Sequence, residues 1–416
     1  MGSLKSNMAP KKTPPRKTLG ILGAGQLSAL LAEAAVNLGV TVHVLAESFE
    51  EPAAQIPGIK VVVGNSRLPK DSVAFFEGLD ALTFENEFIP TTELEVIKEL
   101  NPDMRITPTL EIMGKLQDKI SQKEILDHLG IANPPYIIYD PKMEKPAQFL
   151  ERLRIELEAG CVLKWARWGY DGKGNYFFDK RASIQRAEQF MNEGLRKGSR
   201  IFAERKVRFV KELAIIAAHC AEREEFVAYP LVESVQEKGV CKKVIGPVLK
   251  MGFSESLAKK ANQIAYQIAK HLEISGLFAI EFFLDSNDQL IVNEMAPRVH
   301  NSGHYTLSVN APSQFENHVR AALGMELLPA LIDEHFIMWN LLGPEGILPK
   351  RLDSWKPPEA PNGIDVFWYG KKELRSGRKM GHLGAHGKSE RNLKKIEREM
   401  IDYEKKIWNS MGVKNV

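Results

Sequence analysis

Two glutamates in the second half of the chain, Glu281 and Glu294, are predicted to face each other across a β-hairpin. The segments that carry them are aromatic and aliphatic, as strands usually are, and a turn cluster at 285–288 separates them. If Asp285 pairs with Leu290, the two glutamates lie opposite each other with Cβ atoms about 5 Å apart. Carboxylates at this distance repel unless one is protonated or a cation lies between them.

A loop rich in polar side chains follows this hairpin directly. Ile280, Phe282 and Leu284 are predicted to point into a core, so the two glutamates point to the other face. Carboxylates and the amide of Asn293 suit a hard cation such as Mg²⁺, usually beside a substrate phosphate. The loop residues that suit anions and proton transfer are Arg298, His300, Asn301, Ser302 and His304. Two exposed acids on a sheet rim would leave this loop unexplained, so we predict a site for anions and a metal.

The composition is that of an ordinary globular protein. The 416 residues are 44% hydrophobic and 26% charged, which allows roughly two to four domains with their own cores. The net charge of +3 predicts binding neither to nucleic acid nor to a membrane surface. No apolar run approaches the ~20 residues of a membrane helix. The basic, proline-rich residues 1–17 are predicted to be a disordered tail rather than a signal peptide.

The cysteines predict a reducing compartment. Cys161, Cys220 and Cys241 are the only three, and none has the spacing of a metal ligand. Disulfides are rare in the cytosol, where thiols stay reduced. We therefore expect a cytoplasmic protein.

The first folded segment is predicted to be a βαβ unit. A strand at 19–22 leads through a glycine turn at 23–28 into a helix, and a second strand follows at 40–45. The turn has most of a dinucleotide-binding pattern, but Ser28 stands where the third glycine would be. Because many α/β folds use such a turn only for packing, two interpretations remain open: an NAD(P)-dependent oxidoreductase and a packing turn.

Charged residues also mark the next two elements. The sequence TFENE at 83–87 lies at the carboxyl end of a predicted strand, where open α/β sheets bind ligands. A domain boundary is predicted near residue 110. In the helix that follows, the polar groups from Asp118 to Lys123 are predicted to be solvated.

Two further segments suit phosphate groups. Residues 169–175, GYDGKGN, lie between predicted strands, and their three glycines allow backbone N–H groups to fold over phosphates. A simple hairpin turn is the alternative, since no Walker pattern follows. The basic segment 371–379 suits a phosphomonoester, with a solvated hairpin as the alternative. Frequent Pro and Gly from 344 to 363 predict a linker.

In combination, these motifs resemble one family. The chain resembles the ATP-grasp ligases, specifically the N5-carboxyaminoimidazole ribonucleotide synthetases of purine biosynthesis, from Thr18 to about Leu393. The motifs that carry the resemblance are GAGQL at 23–27, TFENE at 83–87, GYDGKGN at 169–175, NEMAPRVHNSGH at 293–304 and GRKMGH at 377–382.

The resemblance implies an α/β (α+β) protein with the ATP-grasp fold. After the tail at 1–17, the resemblance implies a Rossmann-like pre-ATP-grasp domain at 18–110. An ATP-grasp domain at 111–330, with two subdomains that close over ATP, and a small β-rich domain at 331–416 for substrate binding would follow. It also suggests a homodimer.

The resemblance further implies the residues that hold ATP and its metal. The residues implied for ATP are Lys119, Lys164, Gly169, Tyr170, Asp171, Gly172, Lys173, Gly174, Asn175, Glu204, Arg205, Lys206, Val207, Glu212, Asn293 and Glu294. The glycine-rich loop would act as a lid, and 204–207 as the hinge that holds adenine. Glu281 and Glu294 would bind Mg²⁺, with Mn²⁺ as an alternative.

The remaining residues are implied for the other two substrates. Arg298, His300 and His304 are the catalytic residues implied, at the place where bicarbonate and the acceptor meet. The residues implied for aminoimidazole ribonucleotide are Gln26, Glu85, Asn301, Lys371, Arg375 and Arg378. The chain departs from the usual family pattern at Ser28, where glycine is common, at Ala29, where arginine is common, and at Trp168, where a smaller residue is common.

The resemblance thus predicts an enzyme that joins bicarbonate to 5-aminoimidazole ribonucleotide and converts ATP to ADP and phosphate through carboxyphosphate. One rival is another ATP-grasp ligase, such as the formate-dependent glycinamide ribonucleotide transformylase. The other is the NAD(P)-dependent oxidoreductase suggested by the glycine turn. A binding protein without activity would leave the acid pair and the phosphate loop without a purpose.

Overall fold

The computed structural model describes residues 16–157, 160–169 and 174–413. The predicted tail therefore lies almost wholly outside the described residues, as do Tyr170, Asp171, Gly172 and Lys173 of the glycine-rich loop. Within the described ranges, no helix combines the length and the apolar character needed to cross a bilayer.

The N-terminal part is a parallel sheet with the strand order β3-β2-β1-β4-β5. Its elements are β1 (Thr18–Leu22), α1 (Gln26–Asn37), β2 (Thr41–Ala46), β3 (Lys60–Val63), α2 (Val73–Phe76), β4 (Ala81–Phe84), α3 (Thr91–Leu100) and β5 (Arg105–Thr107). The strands β1, β2 and β4 are almost wholly buried, which explains their continuous apolar sequence. The predicted βαβ start is confirmed. The chain order reverses between β1 and β4, so the glycine turn after β1 and the TFENE segment after β4 meet at one edge.

A small antiparallel sheet with the order β6-β9-β7-β8 comes next. Its segment contains α4 (Leu110–Leu116), α5 (Lys119–His128), β6 (Tyr136–Ile138), α6 (Pro146–Glu156), β7 (Cys161–Trp165), β8 (Asn175–Phe178), α7 (Ile184–Arg196) and β9 (Ile201–Arg205). Side chains from α6 and α7 fill its core. The strands β7 and β8 pair as a hairpin, so the glycine-rich loop joins two neighbouring strands as predicted.

The next segment builds most of a large sheet. Its elements are β10 (Lys211–Cys220), β11 (Glu225–Ala228), β12 (Val232–Glu237), β13 (Val240–Gly246), α8 (Glu255–Leu272), β14 (Gly276–Leu284), β15 (Leu290–Ala296), α9 (Gln314–Ala322) and β16 (His335–Leu342). One face of α8 packs on this sheet through residues such as Ala261, Ile268 and Leu272. A short 3-10 segment, Asn301–Leu307, follows β15 and leads towards α9.

The C-terminal part continues the same sheet. It contains β17 (Lys350–Arg351), β18 (Asp365–Trp368), β19 (Glu373–Leu374), β20 (Lys379–Gly387) and α10 (Glu390–Ser410). The strand order is β15-β14-β10-β12-β13-β16-β20-β18, and β11 pairs with β10. The predicted linker at 344–363 connects β16 to β18 of this sheet and contributes the short strand β17, which pairs with β19.

The register of the β14–β15 hairpin differs from the prediction in one detail. Leu290 pairs with Leu284 rather than with Asp285, and a bulge at Asn293 then restores the predicted pairing of Glu281 with Glu294. Ile280, Phe282 and Leu284 are buried in the core, as predicted. Because a one-residue slip moves every side chain to the other face, the bulge allows the apolar end of β15 and Glu294 each to lie on the correct face.

Candidate active site

The start of helix α5 is buried, which corrects the prediction of solvated charges between Asp118 and Lys123. Asp118 caps the helix by accepting hydrogen bonds from two backbone N–H groups of its first turn. Its carboxylate also pairs with Arg167 and Arg200, at 3.2 and 2.9 Å. Asp118 and Lys123 are 4% and 3% exposed. A surface pattern and a pattern of buried ion pairs look alike in the sequence, because the partners come from elsewhere in the chain.

Lys119, the first residue of α5, contacts Glu294. Its Nζ lies 2.6 Å from Glu294 Oε2. Gln122, one turn further along the helix, donates from Nε2 to the Met295 carbonyl and accepts from the Met295 N–H, at 2.9 and 2.8 Å. This two-point contact joins the helix to strand β15 beside Glu294, so the predicted phosphate-binding lysine and the predicted metal-binding acid are neighbours.

Glu281, Glu294 and Glu212 form an acidic cluster. His300 Nε2 lies 3.5 Å from Glu281 Oε1. Burial raises the pKa of Glu281 to about 7, and the negative charges of Glu294 and Glu212 add to the effect, while Lys119 and Lys379 oppose it. Burial also raises the pKa of Glu212. Acids that ionise with difficulty in the free protein gain from a neighbouring cation.

A second, deeper ion-pair group lies at the predicted adenine hinge. Glu204 is 3% exposed, and its two carboxylate oxygens contact Lys164 Nζ and Lys123 Nζ, each at 2.7 Å. Burial opposes ionisation, but the two ammonium groups outweigh it and lower the pKa of Glu204. Lys164 also donates to Asn293 Oδ1 at 3.5 Å. Lys123 was missed by the sequence interpretation, which gave it no role.

The other hinge residues have a different environment. Arg205 and Lys206 are exposed, and Val207 is partly exposed. Lys206 donates its backbone N–H to the Gly160 carbonyl at 3.4 Å. The hinge therefore offers its backbone at the surface, while the Glu204 side chain turns inward to the lysines.

Both ends of the glycine-rich loop are described. Gly174 has a φ of +80°, and a Cβ atom there would lie 2.9 Å from Gly169 Cα, so this position requires glycine. Asn175 opens strand β8 and is exposed. Trp168, just before the loop, has a φ of +70° and stacks on Phe88 of the N-terminal part, with ring centroids 5.8 Å apart.

Arg298 is held by Glu87, which the sequence interpretation missed. Glu87 accepts from Arg298 Nε and Nη2 at 2.5 and 3.2 Å, a bidentate pair. Burial opposes the charge of Glu87, but Arg298 outweighs it and lowers the pKa of Glu87. The TFENE motif contained the signal, because Glu87 lies two residues beyond Glu85 at the same strand end.

Two residues predicted to line the substrate site, Asn301 and His304, are buried. Asn301 forms a reciprocal amide pair with Asn340, at 3.1 and 2.6 Å. His304 is 0% exposed, and its Nδ1 contacts Gln314. Burial lowers the pKa of His304 well below its usual value. Both side chains are therefore buried and contact other side chains of the protein, and their predicted roles at the site stay predictions.

Three of the residues predicted to bind the acceptor, Gln26, Glu85 and Lys371, meet at the switch point of the N-terminal sheet. Glu85 accepts from the Gly25 N–H at 2.8 Å, and Lys371 donates to Gln26 Oε1 at 2.5 Å. A Cβ atom at Gly25 would lie 2.0 Å from Glu85. The glycine turn therefore binds a carboxylate of its own chain, where a dinucleotide-binding protein would bind a phosphate. This contact removes the basis for an oxidoreductase.

Two arginines are also predicted to bind the acceptor. Arg378 donates to the Glu373 carbonyl at 2.8 Å, and Arg375 lies 3.9 Å from the Glu373 carboxylate. Burial lowers the pKa of Arg378, and the positive charge of Arg375 adds to this. Two guanidinium groups that destabilise each other favour an anion between them.

Several of the predicted site residues are linked in a row by their contacts and charges. It runs from Lys371 and Glu85 through the Glu87–Arg298 pair to Glu294, and the charges of Glu85 and Glu294 both act on Arg298. Among the described side chains, no three His, Cys, Asp or Glu groups form a complete metal cage. Glu281, Glu294 and Asn293 are nevertheless the donors that Mg²⁺ uses when substrate phosphates complete its coordination.

Three domain families match successive parts of the chain. The ribonucleotide synthetase preATP-grasp domain matches residues 16–117, and the ATP-grasp domain matches residues 124–315. The phosphoribosylaminoimidazole carboxylase C-terminal domain matches residues 337–396. The predicted ATP-grasp fold, with an N-terminal preATP-grasp domain and a distinct C-terminal domain, is confirmed.

Curated relatives are similar to this chain over most of its length. The chain is 33% identical over 392 residues to an N5-carboxyaminoimidazole ribonucleotide synthase of Mycobacterium leprae, covering 90% of this chain and 86% of that protein. It is 33% identical over 375 residues to a phosphoribosylaminoimidazole carboxylase of Candida albicans, covering 88% of this chain. The chain spans only 63% of the length of that carboxylase.

Solved structures agree over nearly the whole chain. The N5-carboxyaminoimidazole ribonucleotide synthetase of Thermus thermophilus matches with a TM-score of 0.77 and 31% identity, over 96% of this chain and 99% of that one. An Aspergillus clavatus enzyme in complex with ADP and 5-aminoimidazole ribonucleotide matches with a TM-score of 0.79 and 28% identity, over 94% and 99%. The chain belongs to the ATP-grasp family of N5-carboxyaminoimidazole ribonucleotide synthases.

Proposed function

We propose that this ATP-dependent ligase carboxylates the exocyclic amine of 5-aminoimidazole ribonucleotide with bicarbonate. The products are N5-carboxyaminoimidazole ribonucleotide, ADP and phosphate, and the reaction is a step of de novo purine biosynthesis leading to IMP. The observation that carries the proposal is the row of groups from Lys371 through Arg298 to Glu294. Along this row, the groups around Lys371 would form a ribonucleotide end. Arg298 would form an anion end, and the groups around Glu294 a triphosphate end.

At the triphosphate end, lysines would bind the phosphates, and acids would bind the ribose and the metal. Lys119 and Lys164 are poised to exchange their carboxylate partners for phosphate oxygens, and Glu212 would hold the ribose. Glu281 and Glu294, with Asn293, would hold Mg²⁺ or Mn²⁺, which when bound offsets the negative charge of the phosphates. Phosphoryl transfer depends mainly on position and electrostatics, and both come from this cluster.

At the anion end, Arg298 orients bicarbonate for attack on the γ-phosphorus of ATP. A bicarbonate oxygen forms the new P–O bond, ADP leaves, and carboxyphosphate results. The Glu87 carboxylate occupies the Nε edge of Arg298, and the Val299 carbonyl accepts from Nη1 at 3.1 Å, so the guanidinium is fixed in direction and its two remaining N–H groups would hold the anion. His300 lies beside this point and is placed to move a proton.

At the ribonucleotide end, the amine of the acceptor attacks the carbon of carboxyphosphate and phosphate leaves. Gln26, Glu85 and Lys371 would hold the imidazole and ribose, and Arg375 and Arg378 the 5′-phosphate. The glycine-rich loop at 169–175 would cover the reaction and exclude water, because carboxyphosphate hydrolyses readily.

We further propose where and how the enzyme works. The three free and buried thiols suit a reducing compartment such as the cytoplasm. The expected homodimer and the division into domains at 18–110, 111–330 and 331–416 are parts of the same proposal.

The test is ADP release by the purified protein with each substrate omitted in turn. Rapid ADP release should require both bicarbonate and 5-aminoimidazole ribonucleotide, and the product should contain label from ¹⁴C-bicarbonate. Formate with glycinamide ribonucleotide is the control for the rival ligase. Stimulation by that pair and none by bicarbonate would overturn the proposal.

A further inference from the structure

Gln314, the first residue of α9, holds the backbone of His300 from both sides. Its side chain is 0% exposed. Oε1 accepts from the His300 N–H at 2.9 Å, and Nε2 donates to the His300 carbonyl at 2.8 Å. The amide therefore replaces the strand partner that His300 lacks in this irregular segment.

A third hydrogen bond determines the orientation of the amide. Gln314 Nε2 also lies 3.0 Å from His304 Nδ1. Because Oε1 already accepts from a backbone N–H, the NH₂ group must face the His300 carbonyl and the His304 ring. His304 Nδ1 is then an acceptor, and the neutral ring carries its proton on Nε2, for which no hydrogen-bond partner exists among the described residues.

The backbone segment next to Gln314 leaves room for its side chain and binds its backbone. A Cβ atom at Gly303 would lie 2.5 Å from Gln314 Oε1, so only glycine leaves room for the amide. Thr306 Oγ1 accepts from the Gln314 N–H at 3.1 Å and donates to the Gly303 carbonyl at 2.6 Å. Backbone and side chain of Gln314 together fix the segment from His300 to Thr306.

The His300 ring is oriented within this fixed segment. Its Nδ1 accepts from the Ser302 N–H at 3.3 Å, which directs Nε2 towards Glu281, 3.5 Å away. A shift of the His300 backbone would move the ring away from the acid cluster and from Arg298, two residues before it.

We propose that Gln314 is a positioning residue for the carboxylation reaction: its amide fixes the His300 backbone and the ring tautomer of His304, and thereby places the His300 imidazole at the anion end of the site. This inference rests on the proposed function for its kinetic consequence. Its structural part, the clamp itself, stands independently of the reaction.

The test uses Gln314→Glu, which keeps the size and one acceptor oxygen but removes both N–H donors. The kcat/KM for bicarbonate should fall about 100-fold, because displacement of a reacting group by about 1 Å has this effect. The KM for ATP should change far less, since Gln314 itself contacts no residue of the triphosphate end and reaches it only through the His300–Glu281 contact. Gln314→Met, which adds no charge, should cause the same selective loss and remains informative if the charged variant folds poorly.

Asn317, one turn further along α9, provides a matched control. It is also 0% exposed and binds the backbone N–H and carbonyl of Leu328, each at 2.9 Å, and the Tyr229 hydroxyl at 2.9 Å. Asn317→Asp therefore removes the same kinds of hydrogen bond away from the site. It should lower stability as much as Gln314→Glu and leave the bicarbonate kinetics unchanged.

Two results would overturn the inference. One is normal bicarbonate kinetics in both Gln314 variants, and the other is an equal loss in Gln314→Glu and Asn317→Asp for ATP and bicarbonate alike. ¹⁵N NMR of the histidine rings separates this inference from the proposed function. The wild-type His304 should show the Nε2–H tautomer, and Gln314→Glu should convert it to Nδ1–H, whether or not bicarbonate proves to be the substrate.

Discussion

Two acids of the site, Glu281 and Glu212, are held where they ionise with difficulty. The pKa of Glu281 is raised to about 7, mainly by burial and further by Glu294 and Glu212. The Lys119 ammonium forms an ion pair with Glu294, with Nζ 2.6 Å from Oε2. Binding of a metal and a triphosphate would replace this internal ion pair by two new pairs. Lys119 would pair with phosphate, and Glu294 would pair with the metal.

Replacement of Glu294 by glutamine tests this exchange. Glu294→Gln keeps the size of the side chain but removes the charge, so we expect weaker metal binding and a fall in turnover of about 100- to 1,000-fold. The measurement is ADP release as a function of Mg²⁺ concentration, together with the urea midpoint. The exposed Glu111, which pairs only with Lys115 in its own helix, supplies the control Glu111→Gln. Normal turnover in Glu294→Gln would remove the metal assignment.

Replacement of Arg378 by alanine tests the ribonucleotide end. A charged hydrogen bond to phosphate contributes about 1.5–3 kcal/mol, so the KM for 5-aminoimidazole ribonucleotide should rise about tenfold or more. The KM for ATP should change far less, and initial rates with each substrate varied give both constants. Arg351→Ala, at an exposed arginine that pairs with Glu50 and Asp353, is the control. An unchanged ribonucleotide KM in Arg378→Ala contradicts the phosphate clamp.

Among the elements, helix α5 and strand β15 are joined by the buried side chain of Gln122. Gln122 satisfies the N–H and the carbonyl of Met295 and also donates to the Leu116 carbonyl at 2.6 Å. The helix carries Lys119 and the strand carries Glu294. This contact therefore helps to set the distance between Lys119, which we propose binds phosphate, and Glu294, which we propose binds the metal.

Replacement of Gln122 by methionine should disturb both stability and nucleotide binding. The change leaves buried backbone groups of Met295 without partners, which costs about 3 kcal/mol of unfolding free energy. We also expect a higher KM for ATP, because Lys119 and Glu294 lose their fixed spacing. Urea unfolding and ATP kinetics measure the two effects. The control is Gln267→Met, at an exposed glutamine that donates to the Leu129 carbonyl, and it should change neither stability nor the KM for ATP. An equal effect of this control would show that the spacing of Lys119 and Glu294 is irrelevant.

For the molecule as a whole, His318 connects three parts of the fold. Its Nδ1 accepts from the Leu277 N–H of the large sheet at 3.0 Å, and its Nε2 lies 2.6 Å from Thr83 Oγ1 of the N-terminal sheet. Thr83 Oγ1 in turn donates to the Thr107 carbonyl. The ring must be neutral with its proton on Nε2, and burial lowers the pKa of His318 to about 4.

This histidine should make the fold sensitive to acid. The unfolded chain binds a proton at His318 near pH 6.5 and the folded chain only near pH 4, so stability falls as the pH drops through this window and is constant above it. The difference between these two pKa values corresponds to at most about 3 kcal/mol of unfolding free energy. Buried His382, whose pKa is lowered to about 3, should act in the same direction.

Urea unfolding between pH 8 and pH 5 measures this effect. His318→Gln should be less stable at pH 8 but should lose less stability than the wild type on acidification. His271→Gln, at an exposed histidine of α8, should retain the full pH dependence of the wild type. The same slope in His318→Gln as in the wild type would assign the acid sensitivity to other groups.

Motifs with local spacing were read correctly from the sequence. The βαβ start, the pairing of Glu281 with Glu294 and the glycine loop between two strands were all predicted, and the family and fold are confirmed. These features depend on turn residues, alternation and short-range order, which neighbouring residues determine. The predicted roles of the individual site residues remain proposals.

Contacts between distant residues were decided only by the tertiary structure. The Glu87–Arg298 pair joins residues 211 positions apart, and the buried Lys123 meets Glu204. The buried Asn301 and His304 contact Asn340 and Gln314, which are distant in the sequence or lie in the next helix. The physical reason is that a charged or polar side chain has the same local pattern whether it faces solvent, a ligand or a partner. Its burial and pKa depend on which distant group the fold brings against it.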